Sequence, residues 1–193
     1  MHDPFAIFAQ WYEQAASDAR ITQAEAMNLA TASASGIPSN RMVLLKEFDN
    51  NGFVFFTNLE SHKGRDLLEN PHAAICIYWE VLGRQIRIEG DVSLVSDEQA
   101  DAYFNSRPLQ SRVGAILSQQ SRPMEQSHTA FIAKAVTQMA KASISPPVRP
   151  AYWSGFRITP RHFEFWQNGD FRLHHRQIFE VDGDGWKESV FYP

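Results

Sequence analysis

Short apolar runs separated by tight-turn signals recur along this chain, and they commit most of it to antiparallel strands. "MNLATASA", "SNRMVLLKEF" and "FVFFTN" are divided by "SGIP" and "DNNG", the opening of an antiparallel meander. Strand character returns in "HAAICIYWE" and "RQIRIEGDVSLV", and again in "WSGFRIT", "HFEFWQ", "RLHHRQIFEV" and "WKESVF", with Asn168-Gly169 and "DGDG" as hairpin turns. In "RQIRIEG", Ile86 and Ile88 take one face while Gln85, Arg87 and Glu89 take the other, the alternation of a half-buried strand.

Helical signals sit at the start and in the middle. Residues 4 to 18 read as a helix begun by Asp3-Pro4, and "SHKGRDLLENP" as a short one with Ser61 as its cap and Pro71 beyond its end. Three more are expected from about Ser96 to Asn105, Pro108 to Leu117 and Glu125 to Ala142, the last with Phe131, Ile132, Ala135, Val136 and Met139 on one face. There is no βαβ alternation, no GxGxxG and no GxxxxGK[ST]. The expectation is a mainly β fold with appended helices, a closed β-barrel rather than a Rossmann sheet. At 193 residues it suits one domain over 1–193, with an N-terminal helix and a central helical insertion at about 96–142.

A net charge of −4 argues against nucleic acid or an anionic membrane as partner, so any basic site must be local. No apolar run is long enough to cross a bilayer, and "MHDPFAIFAQWYEQ" lacks the parts of a secretory signal, which points to the cytoplasm. Cys76 is the only cysteine and in "AAICIYW" reads as a core thiol.

The local basic features are four. In "EFWQNGDFRLHHR" an Asn-Gly turn would make the following residues a strand, with Arg172, His174 and Arg176 on one face and Leu173 and His175 on the other. Two guanidiniums flanking an imidazole suit a phosphate or another anion, although a solvated basic face would carry the same pattern. "RMVLLK" sets Arg41 and Lys46 on opposite faces of one strand. "TNLESHKGR" gathers Thr57, Ser61, His62 and Lys63 around a helix start, where free amides favour an anion. "YFNSRPLQS" spaces Tyr103, Arg107 and Ser111 by four along a segment that Pro108 bends or divides. Adjacent His174 and His175 would project to opposite strand faces, which does not suit a metal site.

Taken in order, "RMVLLK", "TNLESHKGR", "RQIRIEG", "YFNSRPLQS", "LSQQS" and "EFWQNGDFRLHHR" closely resemble the pyridoxine (pyridoxamine) 5'-phosphate oxidase family, from about Ala26 to Trp186. The resemblance implies a homodimeric FMN-binding split β-barrel with each flavin between subunits. It also implies oxidation of pyridoxine or pyridoxamine 5'-phosphate to pyridoxal 5'-phosphate, with O2 as electron acceptor and H2O2 as product. Carried over by position, the FMN contacts are Arg41, Met42, Val43, Leu44, Leu45 and Lys46, then Phe56, Thr57, His62, Lys63, Gln85, Gln120, Ser121, Trp166 and Arg176. The substrate contacts are Lys46, Tyr103, Arg107, Ser111, Arg172 and His174; the last two are also the catalytic pair, orienting the C4' group for hydride transfer.

Three positions depart from the family's pattern. His175 stands where an acidic or amide residue is usual, Phe56 where tyrosine is common, and "SVFYP" where the tail commonly reads Arg-Leu-x-Pro. Two other readings share these residues: an FMN oxidase of another substrate such as a phenazine precursor, and a non-catalytic flavin or pyridoxal phosphate carrier.

Overall fold

A computed structural model describes residues 3–193. Nine strands and five α-helices follow in the order α1 (Pro4–Ser17), β1 (Ala26–Ala32), β2 (Pro38–Leu44), β3 (Glu47–Asp49), β4 (Gly52–Asn58), α2 (His62–Glu69), β5 (His72–Trp79), β6 (Arg84–Leu94), α3 (Asp97–Ser106), α4 (Leu109–Leu117), α5 (His128–Ala142), β7 (Trp153–Gln167), β8 (His175–Asp182) and β9 (Gly185–Phe191). The strands form one antiparallel sheet ordered β2-β1-β5-β6-β7-β4-β3, with β8 and β9 branching from β7. It curls into a split barrel with appended helices. Among the described residues, no helix is long and apolar enough to cross a membrane.

β7 is a single strand where the sequence suggests two. "WSGFRIT" and "HFEFWQ" run together because Pro160-Arg161 is absorbed as a bulge: Gly90 pairs with Pro160 and Glu89 with His162, leaving Arg161 over. "SNRMVLLKEF" does the reverse and breaks after Leu44, since consecutive amides turn to different strands. Leu45 N–H donates to Glu25 O (2.9 Å) and Lys46 N–H to Val54 O (2.9 Å), linking the β1–β2 edge to β4.

Asn168-Gly169 does not make the expected two-residue hairpin. A type I′ turn needs positive φ at both central residues, but Gly169 sits at φ −132° and the left-handed residues are Phe171 (φ 54°) and Arg172 (φ 64°). The chain makes a 3₁₀ turn and re-enters the sheet only at His175, opposite Gln167. Gly169 is required for another reason: a Cβ there would lie 2.2 Å from the Leu173 carbonyl oxygen. α5 begins at His128 rather than near Glu125, because the Ser127 hydroxyl accepts from Ala130 N–H (3.2 Å). Cys76 lies not in the core but on the sheet's other face, half-buried near Arg87 and Glu164.

α1 fills the concave face. Phe8 meets Phe53 and Phe48 edge-on at 4.7 and 4.9 Å, Phe5 meets Phe163 at 5.3 Å, and Trp11 meets Phe165 at 5.4 Å. Such pairs add about 0.5–1.5 kcal/mol each beyond the area they bury. Phe53, fully buried among four of these rings, is the residue whose loss the core would feel most. Phe53→Ala should cost about 3–5 kcal/mol in urea unfolding, while Ile144→Ala, at a site 89% exposed, should stay within about 0.5 kcal/mol of the parent.

Candidate active site

A cavity of about 470 Å³ opens where the end of β2 and strand β4 face the α3–α4 junction. Met42, Val43, Leu44 and Lys46 line one wall, and Phe56, Thr57 and Asn58 another, with Lys63 at the first turn of α2. Tyr103, Arg107, Ser111, Gln120 and Trp153 complete it. Lys46 reaches the cavity because its amide is tied to Val54 while Leu45 beside it is buried. Tyr103, Arg107 and Ser111 converge because Pro108 divides the helix: Arg107 is the C-cap of α3 and Pro108 the N-cap of α4.

One wall is a stack of rings. Phe56 lies on Tyr103 with centroids 3.9 Å apart and planes 14° apart, and parallel to Trp153 at 5.6 Å and 8°. Gly155, paired with Phe56 across β4 and β7, makes this possible, since a Cβ there would come within 2.7 Å of the Phe56 ring. Arg107 lies over the Trp153 ring, its guanidinium carbon 4.8 Å from the centroid. Its Nη1 is buried and has no hydrogen-bond partner, and burial pulls its pKa down, against the opposing influence of Tyr103.

The second cationic group is Lys63. Its ammonium donates to Thr57 Oγ1 (3.2 Å), Ser61 Oγ (3.2 Å) and Gln120 Oε1 (3.1 Å), all neutral acceptors. Burial first, and then the charge of Arg41, lower its pKa to about 8. Arg41 itself is turned inward, donating to Thr31 Oγ1 (2.8 Å) and Ser39 Oγ (2.8 Å) with buried Asp66 3.9 Å away. His62, exposed, stands 3.6 Å from the other Asp66 oxygen. Two cations without an ion pair among the described residues, Lys63 buried and Arg107 half-buried, are set around flat aromatic walls and fit two phosphates and planar rings. Lys63 at the start of α2, with Thr57 and Gln120 beside it, could hold one phosphate, and Arg107, Lys46, Tyr103 and Ser111 another.

The remaining expected site residues lie elsewhere. Gln85, Trp166 and Arg176 are direct cross-strand neighbours on β6, β7 and β8, a row on the sheet's outer face. His174 packs on Trp166 (4.7 Å between centroids) and its Nδ1 accepts from Gly169 N–H (3.3 Å), so the neutral ring carries its proton on Nε2. Arg172 and His174 belong to the loop before β8, so Arg172, His174 and Arg176 are not alternate residues of one strand face as expected. Arg176 is held by Glu164, Nε to Oε1 at 2.8 Å, and by the Tyr192 carbonyl oxygen at 3.1 Å. Ser121, with φ 67°, lines an adjoining cavity with Gln120. Sequence reasoning missed Trp153 and Asn58 in the main cavity; only their neighbours in space mark them, although "AYWSGF" carries the Trp-x-Gly pair that builds the ring stack.

Known proteins are similar to this chain in sequence and fold. The family profile described as pyridoxamine 5'-phosphate oxidase matches residues 14–141, and that of the pyridoxine 5'-phosphate oxidase C-terminal dimerisation region matches residues 153–193. A pyridoxine/pyridoxamine 5'-phosphate oxidase of Gluconobacter oxydans is 50% identical, covering 99% of this chain and 94% of that protein. One of Allorhizobium ampelinum is 47% identical, covering 100% and 93%. Among solved structures, PhzG from Burkholderia lata in complex with tetrahydrophenazine-1-carboxylic acid superposes with a TM-score of 0.93 at 30% identity, covering 99% of this chain and 93% of that one. A pyridoxamine 5'-phosphate oxidase-related, FMN-binding protein from Nostoc punctiforme superposes with a TM-score of 0.78 at 19% identity, covering 100% and 98%.

Lys63 predicts a pH dependence. A bound phosphate favours the ammonium and lifts its pKa back up, so the complex holds more protons than the free protein above pH about 8. Affinity for a phosphate monoester at this end of the cavity should therefore fall by up to about tenfold per pH unit as pH rises from about 8 toward the pKa in the complex. Calorimetry in buffers of differing ionisation enthalpy should register uptake of nearly one proton at about pH 9, and Lys63→Met should abolish that uptake.

Proposed function

The chain belongs to the pyridoxine/pyridoxamine 5'-phosphate oxidase family of FMN-dependent enzymes, and on that premise we propose that it oxidises pyridoxine or pyridoxamine 5'-phosphate to pyridoxal 5'-phosphate, with O2 as electron acceptor and H2O2 as product. The observation that carries this reading is Arg107, which lines the cavity with Lys46, Tyr103 and Ser111 and whose guanidinium has no carboxylate or other hydrogen-bond partner among the described residues. A half-buried guanidinium without a counterion favours an anion that can accept from it, and the B6 vitamers of this reaction carry a phosphate.

Bound FMN supplies the hydride acceptor. The chain's own residues do the rest. Arg107, Lys46, Tyr103 and Ser111 anchor the substrate phosphate, and the Phe56, Tyr103 and Trp153 rings form a flat wall that excludes water from one side of the cavity. Arg172 and the Nε2–H of His174 orient the C4' substituent, the imidazole being kept in register by Gly169 N–H and Trp166.

Those last residues lie outside the cavity, and a homodimer reconciles the two sets. A second copy would lay its outer row of Gln85, Trp166 and Arg176, with the Arg172–His174 loop, over the cavity mouth of the first. Met42, 61% exposed at that mouth, and Tyr78, 56% exposed beside Gln85, are the apolar surfaces such contact would cover. The C-terminal dimerisation profile spans the segment that carries Trp166, Arg172, His174 and Arg176. The two matched segments read as one unit, since β7 of the second pairs with β4 and β6 of the first. The similarity to PhzG favours a second reading, oxidation of a tricyclic phenazine precursor; a phosphate-anchoring trio at Tyr103, Arg107 and Ser111 weighs against it.

Anaerobic addition of pyridoxine 5'-phosphate to the FMN-loaded protein should bleach the flavin band, and air should restore it with formation of pyridoxal 5'-phosphate and peroxide. A band that stays oxidised with both B6 phosphates would sink the oxidase reading. Arg107→Ala should raise KM about 10- to 100-fold. Coexpressed Arg107→Ala and Arg172→Ala chains, each weak alone, should regain activity in mixed dimers that own one intact site.

A further inference from the structure

We propose that Trp153 is a positioning residue for the substrate phosphate: its indole face holds the Arg107 guanidinium in place without using any of the donors the phosphate needs. This rests on the reading of Arg107 given above and adds a residue to it. Arg107 follows the last turn of α3 and carries a long, flexible side chain, yet among the described residues it has no ion pair and no side-chain hydrogen bond. The face of Trp153 lies 4.8 Å beneath it.

The other site arginine is held differently. Arg176 gives its Nε to the Glu164 carboxylate and an Nη to Tyr192 O. A carboxylate there both occupies donors and cancels charge. An aromatic face attracts the cation through its quadrupole and occupies none of the N–H donors in the guanidinium plane. For the residue that must receive a dianionic phosphate, the ring is the better holder.

Trp153 is itself fixed on every side. It is 5% exposed, parallel to Phe56, and edge-on to Phe104 of α3 at 5.1 Å. Its amide donates to Pro150 O (2.9 Å) and its carbonyl oxygen accepts from Arg149 Nη1 (2.9 Å). Arg149 also pairs with Asp97 and Asp101 of α3, the helix that ends in Arg107. The strand carrying the ring and the helix carrying the guanidinium are thus clamped together by one side chain.

A double-mutant cycle tests this, read as pyridoxal 5'-phosphate binding to the FMN-loaded protein by calorimetry, with FMN affinity measured alongside. Trp153→Leu should weaken pyridoxal 5'-phosphate about 3- to 30-fold and Trp153→Phe, which keeps a ring face, by less. In an Arg107→Ala background neither should weaken it further, and FMN affinity should be the same in every variant. Equal losses with and without Arg107, a Phe variant as weak as Leu, or a parallel loss of FMN would show that Trp153 acts on the fold alone and overturn this inference. Should Trp153→Leu fail to fold, the Phe cycle decides in the same way. Arg107→Ala without effect would instead overturn the reading of the cavity, and this inference with it.

Discussion

Strand β7 has ladder partners on both edges over nearly its whole length, and the rest of the molecule is arranged around that. β6 takes one edge from Phe156 to Gln167; the other is shared by β4, opposite Trp153 to Ile158, and β8, opposite His162 to Gln167. The strand side-chain period is two, so an unbroken β7 would have kept one set of residues inward throughout. The extra residue at Arg161 reverses that parity. Phe156 and Ile158 point into the core before the bulge and Phe163 and Phe165 after it, so Glu164 and Trp166 turn outward beside Gln85 and Arg176. One inserted residue therefore separates the half of β7 that walls the cavity from the half that carries the outer row.

The sequence was most readable where structure is decided locally. Alternation in residues 84–94, the Ser61 cap and the "DNNG" and "DGDG" turns all appear where the residues put them, because each depends on neighbours a few positions away. It was least readable where distant strands decide. Pro160 looks like a strand breaker until its partner strand accommodates a bulge, and Asn-Gly looks like a hairpin until Leu173 closes over Gly169. The site divides along the same line. Spacing alone suggested that Tyr103, Arg107 and Ser111 act together, and they do share one cavity wall. The alternation argument for Arg172, His174 and Arg176 assumed a strand where there is a 3₁₀ turn. Trp153 could not be found from spacing at all, since its role depends on Phe56 and Arg107, each about a hundred or about fifty positions away.

The electrostatics distinguish framework cations from ligand-facing ones. Arg149, Arg157 and Arg176 all meet carboxylates of this chain. Glu164 feels burial raising its pKa and two arginines lowering it more strongly, so it ends below the ordinary carboxylate range as a permanent anchor. Lys63 and Arg107 meet no carboxylate, and burial lowers the pKa of both. Charge left without a counterion in a partly buried site costs stability. Among the described residues the pKa of Arg84 is likewise lowered by burial without a carboxylate, but Arg84 is held by Gln167 Oε1 and the Trp11 ring; Lys63 and Arg107 both line the cavity. Such a protein is stabilised by whatever anion enters, by an amount set by ligand concentration over its dissociation constant.

β6 and β7 are adjacent antiparallel strands and could have been joined by a short hairpin, yet residues 95–152 stand between them. That insertion supplies Tyr103, Arg107, Ser111 and Gln120, while the barrel supplies Lys46, Phe56, Thr57 and Trp153. It is fastened at several points: Asn58 Nδ2 donates to Ser118 O, Tyr152 Oη to Ile116 O, and Leu59 N–H to Tyr152 O. The barrel wall is fixed by ladder hydrogen bonds that any change would disturb. The insertion is held by side chains and caps, which can vary without unfolding the sheet. On the function proposed above, selectivity for the part of the substrate remote from the reacting bond would belong to the α3–α4 junction, which is separate from the end of the cavity built on β4 and α2.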